Sequence, residues 1–194
     1  MAYLIGITGQ IASGKSYVSN ILREHFKYLV FDADAIVKKF YNDEKVKKQI
    51  LKIFPHALTA DNQLNKYEIA KQVFNERQKK MQLQKIFHPI IKSELLKFHS
   101  KNQRHKLLFA EVPLLFEANL HIYCNYVICA YVHEELRRKR FEIRSSKYKS
   151  FFNKISNNQL SNIKKLCLSD FAIYTINNKP QIINQILQIL NKLQ

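Results

Sequence analysis

The sequence predicts a doubly wound α/β fold: a five-stranded parallel sheet with helices on both faces. Three observations carry that prediction. Five short runs are apolar almost throughout rather than alternating, the pattern of strands covered on both faces. Helical periodicities separate these runs, so strand and helix alternate along the chain. The third observation is where glycine sits. The chain contains only three glycines, and Gly6, Gly9 and Gly14 all fall in or just before one octapeptide, GQIASGKS, that joins the first strand to the first helix.

The elements follow in order. Residues 3–8 (YLIGIT) read as the first strand and 16–26 as the helix after the glycine-bearing loop. Residues 29–32 form the second strand, ending at Asp32 within FDADAIV. The next strand is expected only at 106–112, and the roughly seventy intervening residues far exceed the dozen or so a crossover needs. Their helical patterns at 43–54, 67–74 and 76–100 predict a helical insertion covering one side of a cleft. Strands four and five are expected at 126–132 and 171–174, with helices at 134–144 and 159–168 between them. Beyond the last strand, Ile182, Ile183, Ile186, Leu187, Leu190 and Leu193 share one helical stripe, a packing helix without chemistry of its own.

At 194 residues the chain matches one domain with insertions, and 46% hydrophobic residues suffice for a proper core. Cys124, Cys129 and Cys167 are odd in number and form no C-x-x-C pair. That excludes a disulfide framework or zinc knuckle and points to a reducing, cytoplasmic setting. No apolar run approaches the length of a membrane span. The net charge of +17 is extreme and favours polyanionic partners, although a lysine-rich surface from codon bias accounts for such an excess equally well. Its distribution is more telling: residues 137–165 hold ten Lys or Arg (Arg137, Arg138, Lys139, Arg140, Arg144, Lys147, Lys149, Lys154, Lys164 and Lys165) against the single acid Glu142.

The octapeptide satisfies G-x-x-x-x-G-K-[ST] with a strand before it and a helix after it, the context that the phosphate-binding loop requires. Gly9, Gln10, Ile11, Ala12, Ser13, Gly14, Lys15, Ser16 and the following Tyr17 are therefore the candidate nucleotide-binding residues. Glycine permits the close backbone approach by which successive N–H groups wrap a phosphate chain. The helix N-terminus adds partial positive charge, Lys15 supplies a full charge for the β- and γ-phosphates, and the Ser16 hydroxyl is the candidate Mg²⁺ ligand. No N/T-K-x-D guanine reader of the GTPase type occurs. Asp32 and Asp34 close the second strand, which is expected beside the loop, where a carboxylate can accept a proton from a substrate hydroxyl or organise metal-bound water. Asp34 could also simply cap a helix starting at Ala35. Glu111 stands where many ATPases carry an Mg²⁺-coordinating acid.

IGITGQIASGKS, VFDADAIV, VFNERQKKMQLQKIFHPII and VPLLFE, taken together and in this order, resemble the dephospho-CoA kinase family over nearly the whole chain. The resemblance implies a nucleoside-monophosphate-kinase-like three-layer fold with a core, a helical substrate domain and a lid. It implies ATP-dependent phosphorylation of the ribose 3′-hydroxyl of dephospho-CoA, with Mg²⁺. On it the chain is one P-loop kinase domain: core 1–42, 104–135 and 169–194, substrate insertion 43–103, lid 136–168. Asp34 becomes the general base, with Asp32 a supporting acid near metal and substrate. His88, Pro113, Leu114 and Leu115 become substrate-site residues, and Arg140 and Arg144 the lid-flanking arginines. Gln159 and Lys164 match a Q-x-x-x-x-K pattern at the lid's end. Glu117 reads equally as a structural anchor or a substrate contact.

This chain departs from the family at three places: Gln10 and Ala12 stand where glycines are usual, and Thr175 stands where the family has an asparagine near the adenine. Two alternatives remain open on the residues alone, another small P-loop kinase and a nucleic-acid-binding P-loop protein. Neither the K-G-T of adenylate kinases nor any RNP, zinc-finger or helix-turn-helix signature occurs. The expectation is a small-molecule substrate, no membrane or nucleic-acid partner, and a monomer or weak homo-oligomer.

Overall fold

The computed structural model describes residues 2–193, the side chains of Ser146 and Lys147 excepted. Lys147, a member of the basic run, thus has its side chain outside the described residues. The chain divides into two compact units. One takes in the residues through Asp32 and from Phe98 onward, the other Ala33–Lys97.

The first unit holds the sheet. Strands β1 (Tyr3–Thr8), β2 (Val30–Asp32), β3 (Leu107–Glu111), β4 (Tyr126–Tyr131) and β5 (Phe171–Tyr174) lie in the order β2-β3-β1-β4-β5, and every pairing is parallel. β2 lies on the β3 side of β1, with β3 between them. Helices α1 (Lys15–Glu24) and, at the end of the chain, α9 (Lys179–Leu193) pack on one sheet face. Val18, Ile21 and Leu22 of α1 and Ile182, Ile186, Ile189 and Leu190 of α9 meet Ile5, Ile7, Phe109, Ile128 and Ile173. Leu187, placed in the apolar stripe by its spacing, is exposed, and Ile189 is buried in its stead.

The opposite face is reached through Gly6. A Cβ at that position would lie 2.7 Å from Leu115 Cδ2 and 3.1 Å from Cys124 Sγ, so the strand can be that closely covered only where it carries no side chain. Leu115 is fully buried against it.

Between β4 and β5 run α6 (Glu134–Arg144), a 3₁₀ turn at Ser146–Phe151, α7 (Phe152–Asn157) and α8 (Asn162–Cys167). The turn and α7 were not expected from the sequence. The Phe141 and Phe152 rings pack tilted, their centroids 5.6 Å apart, and Arg138 lies 4.5 Å over the Phe152 ring, holding α7 to α6.

The second unit is helical: α2 (Ala33–Phe40), α3 (Glu44–Ile53), α4 (Lys66–Asn75) and most of α5 (Arg77–Lys101). Asp43 caps α3 through Lys45 and Val46 N–H, at 2.9 and 3.0 Å, and Asn65 caps α4 through Glu68 N–H at 3.2 Å. Its core is Val46, Ile50, Phe54, Ile69, Phe87 and Ile91, with Tyr41 stacked on Phe87 at 5.2 Å. The helix α5 continues through Pro89, which forfeits one intrahelical hydrogen bond there.

Candidate active site

Residues 9–14 connect β1 to α1 as a loop whose glycines are both required. Gly9 has φ 149°, and a Cβ on it would come within 2.4 Å of the Ala130 carbonyl oxygen and 2.5 Å of Ser13 Oγ. Gly14 has φ 92°, and its Cβ would lie 2.9 Å from the Thr175 side chain. Ala12, with φ 58°, adopts the left-handed conformation without being glycine. Lys15 is buried, its ammonium donating to the Gly9 and Gln10 carbonyls at 3.0 Å each. That posture holds the charge over the concave side of the loop, where phosphate oxygens are stronger acceptors than neutral carbonyls.

Ser16 Oγ donates to Glu111 Oε1 at 2.6 Å. Glu111 is buried at the carboxyl end of β3, in register with Asp32 on one side and Ile7 on the other. Serine hydroxyl and carboxylate form a hard oxygen pair of the kind Mg²⁺ accepts alongside water and phosphate. Among the described residues no group of three or more His, Cys, Asp or Glu is assembled to hold a metal. Asp32 has Arg23 NH2 at 3.9 Å.

The segment after β4 reaches the loop at several points. Gln159 Oε1 accepts from Ile11 N–H at 2.8 Å, and Gln10 Nε2 donates to the Ser156 carbonyl at 3.3 Å. Arg137 is 2% exposed and donates to Ser156 Oγ at 3.4 Å. Burial pulls its guanidinium below the ordinary value, against the opposing influence of Glu134. Arg140 donates to Thr175 Oγ1 at 3.1 Å and to the Thr175 carbonyl at 2.6 Å, and is likewise lowered by burial. Arg144 is exposed at the end of α6.

Beneath the loop lies a buried ion pair. Lys165, fully buried, donates to the Pro113 carbonyl at 2.7 Å and to Glu117 at 3.1 Å, with Thr8 Oγ1 at 3.4 Å. Glu117 also accepts from Leu160 N–H at 2.9 Å. Burial lowers the Lys165 ammonium and Glu117 counteracts it. Glu117 is therefore an anchor, the reading left open by the sequence. Lys164, the lysine picked out by spacing, is exposed and its neighbour Lys165 is the one inside. Pro113 and Leu114 are half-buried on the turn after β3, and Leu115 is inside it.

In the helical unit, Asp34 lies in the first turn of α2, exposed. Because α2 starts at Ala33, Asp34 is inside the helix rather than capping one from Ala35. His88 is half-buried mid-way along α5, beside Pro89. Sequence reasoning missed Arg137, Ser156, Lys165 and the bridging role of Thr175. Only Arg137 and Lys165 had any signal, as members of the basic run, and nothing in that run separated buried cations from solvated ones.

The family model described as CoaE, dephospho-CoA kinase, matches residues 3–183. The dephospho-CoA kinase of Rickettsia typhi is 34% identical over 190 residues, covering 98% of this chain and 97% of its own length. That of Rickettsia bellii is 37% identical over 169 residues, 87% of this chain and 86% of its own. Among solved structures, TT1252 from Thermus thermophilus superposes with a TM-score of 0.84 at 25% identity, over 100% of this chain and 98% of its own.

Proposed function

Since the chain belongs to the dephospho-CoA kinase family, and so is an enzyme that transfers phosphate from ATP to dephospho-CoA, we propose how its own residues carry out the transfer. Residues 9–17 hold the triphosphate, with loop N–H groups and the N-terminus of α1 facing the phosphate oxygens. Lys15 exchanges its two carbonyl acceptors for β- and γ-phosphate oxygens and follows the charge as it develops. Ser16 and Glu111 would hold the nucleotide's Mg²⁺, which would neutralise phosphate charge. The Ser16 hydroxyl can offer a lone pair there and still donate to Glu111.

Asp34 accepts the proton of the substrate's ribose 3′-hydroxyl as that oxygen bonds to phosphorus and the bond to the ADP oxygen breaks. Asp32 supports it from the end of β2. His88 in the insertion (43–103) and Pro113 and Leu114 on the turn after β3 hold the rest of dephospho-CoA, so that remote binding energy aligns the hydroxyl, while the buried Leu115 supports that turn from beneath. The lid (136–168) brings Arg140 and Arg144 to the transferring group. The free cysteines support a reducing, cytoplasmic setting, and we take the enzyme to work there as a monomer or weak homo-oligomer.

The observation that carries the reading is the phosphate loop with Lys15 folded over it and Ser16 on Glu111, at 2.6 Å. The test is incubation with Mg-ATP and dephospho-CoA, AMP, CMP, UMP, adenosine or shikimate, with products read by mass and a DNA-only control. Coenzyme A and ADP are expected, with the highest kcat/KM for dephospho-CoA. A preference for any other acceptor, or ATP hydrolysis stimulated by DNA, overturns the assignment.

A further inference from the structure

We infer that Thr175 is a positioning residue for phosphoryl transfer, tying the backbone just before Lys15 to the guanidinium of Arg140; the inference rests on the kinase reading above. Thr175 is 2% exposed and follows the end of β5. Its hydroxyl donates to the Ser13 carbonyl at 2.7 Å and accepts from Arg140 NH1 at 3.1 Å. Its own carbonyl accepts from Arg140 NH2 at 2.6 Å, and its N–H donates to the Tyr131 carbonyl at 2.9 Å. A hydroxyl has one proton and two lone pairs, a carbonyl only accepts and a guanidinium only donates. The direction of the chain is therefore fixed: Arg140 to Thr175 to Ser13. The same side chain seats against the Cα of Gly14, where a Cβ would meet Thr175 Cβ and Oγ1 at 2.9 Å.

Thr175 thus touches residues 13 and 14, which aim Lys15, and both outer nitrogens of Arg140, the two cations proposed to surround the transferred group. The family resemblance leads one to expect asparagine here, near the adenine. An asparagine amide also offers an acceptor and donors, but both sit one bond farther from Cβ than the threonine hydroxyl. The hydroxyl of threonine is short enough to serve Ser13 and Arg140 while leaving Gly14 its space. The role is accordingly one of aim, exerted through Lys15 and Arg140, not of contact with the base.

The experiment measures kcat and KM for ATP and for dephospho-CoA in Thr175→Val, which keeps the shape and removes the hydroxyl, and in Thr175→Ser, which keeps the hydroxyl. Thermal midpoints are recorded for both, and Thr175→Val is also made in an Arg140→Ala background. The expected result for T175V is a loss in kcat of about ten- to hundredfold, the effect of one charge-assisted hydrogen bond, with KM for dephospho-CoA little changed. T175S should restore most of the rate, and the T175V loss should shrink once Arg140 is absent. Equal losses with and without Arg140, a T175S rate as low as T175V, or a lowered thermal midpoint with kcat intact each overturn the inference. The wild-type rate with dephospho-CoA reports on the kinase reading separately, so the two cannot fail indistinguishably.

Discussion

Ala12 is a residue whose chemistry and conformation disagree. Its φ of 58° costs an L-residue about 1–2 kcal/mol relative to the right-handed region, whereas glycine adopts it freely. Part of the gain on substitution returns as lost unfolded-chain restriction. Ala12→Gly is therefore expected to stabilise the protein by about 0.5–1 kcal/mol, read as a higher urea midpoint at unchanged slope; a lower midpoint would show that the Ala12 methyl packs usefully. Asp34 makes the complementary case, where the residue is conformationally ordinary and its proposed role chemical. Asp34→Asn keeps shape and hydrogen bonding but cannot take a proton, so kcat should fall about 10²–10⁴-fold with ATP affinity nearly unchanged. A crippled Asp32→Asn beside a mild Asp34→Asn would transfer the role to Asp32.

At the scale of elements, α8 inverts the usual rule. Ile163 and Leu168 are 67% and 50% exposed while Lys165 is fully buried. The helix is oriented by oxygen acceptors rather than by apolar area: Glu117, the Pro113 carbonyl and Thr8 collect around one ammonium, and Asn162 donates to the Val132 carbonyl at 2.8 Å. Removing one partner of a buried pair leaves the other uncompensated. Lys165→Met should thus cost about 3–5 kcal/mol, and adding Glu117→Gln, which removes the stranded charge and still accepts from Leu160 N–H, should recover a large part. Chemical denaturation of the two variants checks this; a double variant less stable than Lys165→Met would show that the pair's charge complementarity is not what holds the helix. The same network explains why hydropathy foresaw a helix at 159–168 without showing which way it faces.

For the whole molecule, buried acids set the alkaline limit. Burial pushes the Cys124 thiol up to about 12 and the Cys129 thiol up to about 11 from 9.0, and the Tyr41 hydroxyl up to about 12 from 10.0. Above pH 9 the native state holds protons that the unfolded chain has released, so stability falls as pH rises from about 9 towards 12. Lys165, lowered by burial, acts in the opposite sense and softens the slope. Urea midpoints between pH 8 and 11 should decline, and Cys124→Ala with Cys129→Ala should flatten the decline; an identical slope in that variant would assign the loss elsewhere. The charge of +17 also resolves in part at this scale. Arg137 and Lys165 are inside, Arg140 is bound to Thr175, and Lys139 pairs with Glu135 at 3.0 Å.

The sequence by itself determined the strands, the phosphate loop and the family, because each rests on a pattern local in the chain. Apolar runs mark covered strands, and Gly9 and Gly14 mark a turn that a side chain would block. Only the tertiary structure decided that β3 separates β1 from β2, that Lys165 and not Lys164 turns inward, and that Thr175 joins Ser13 to Arg140. Residues 8, 113, 117 and 165 meet only once the sheet is assembled, as do 13, 140 and 175. Partners separated by tens of residues leave no periodicity in the chain, and a buried cation is spelled with the same letter as a solvated one.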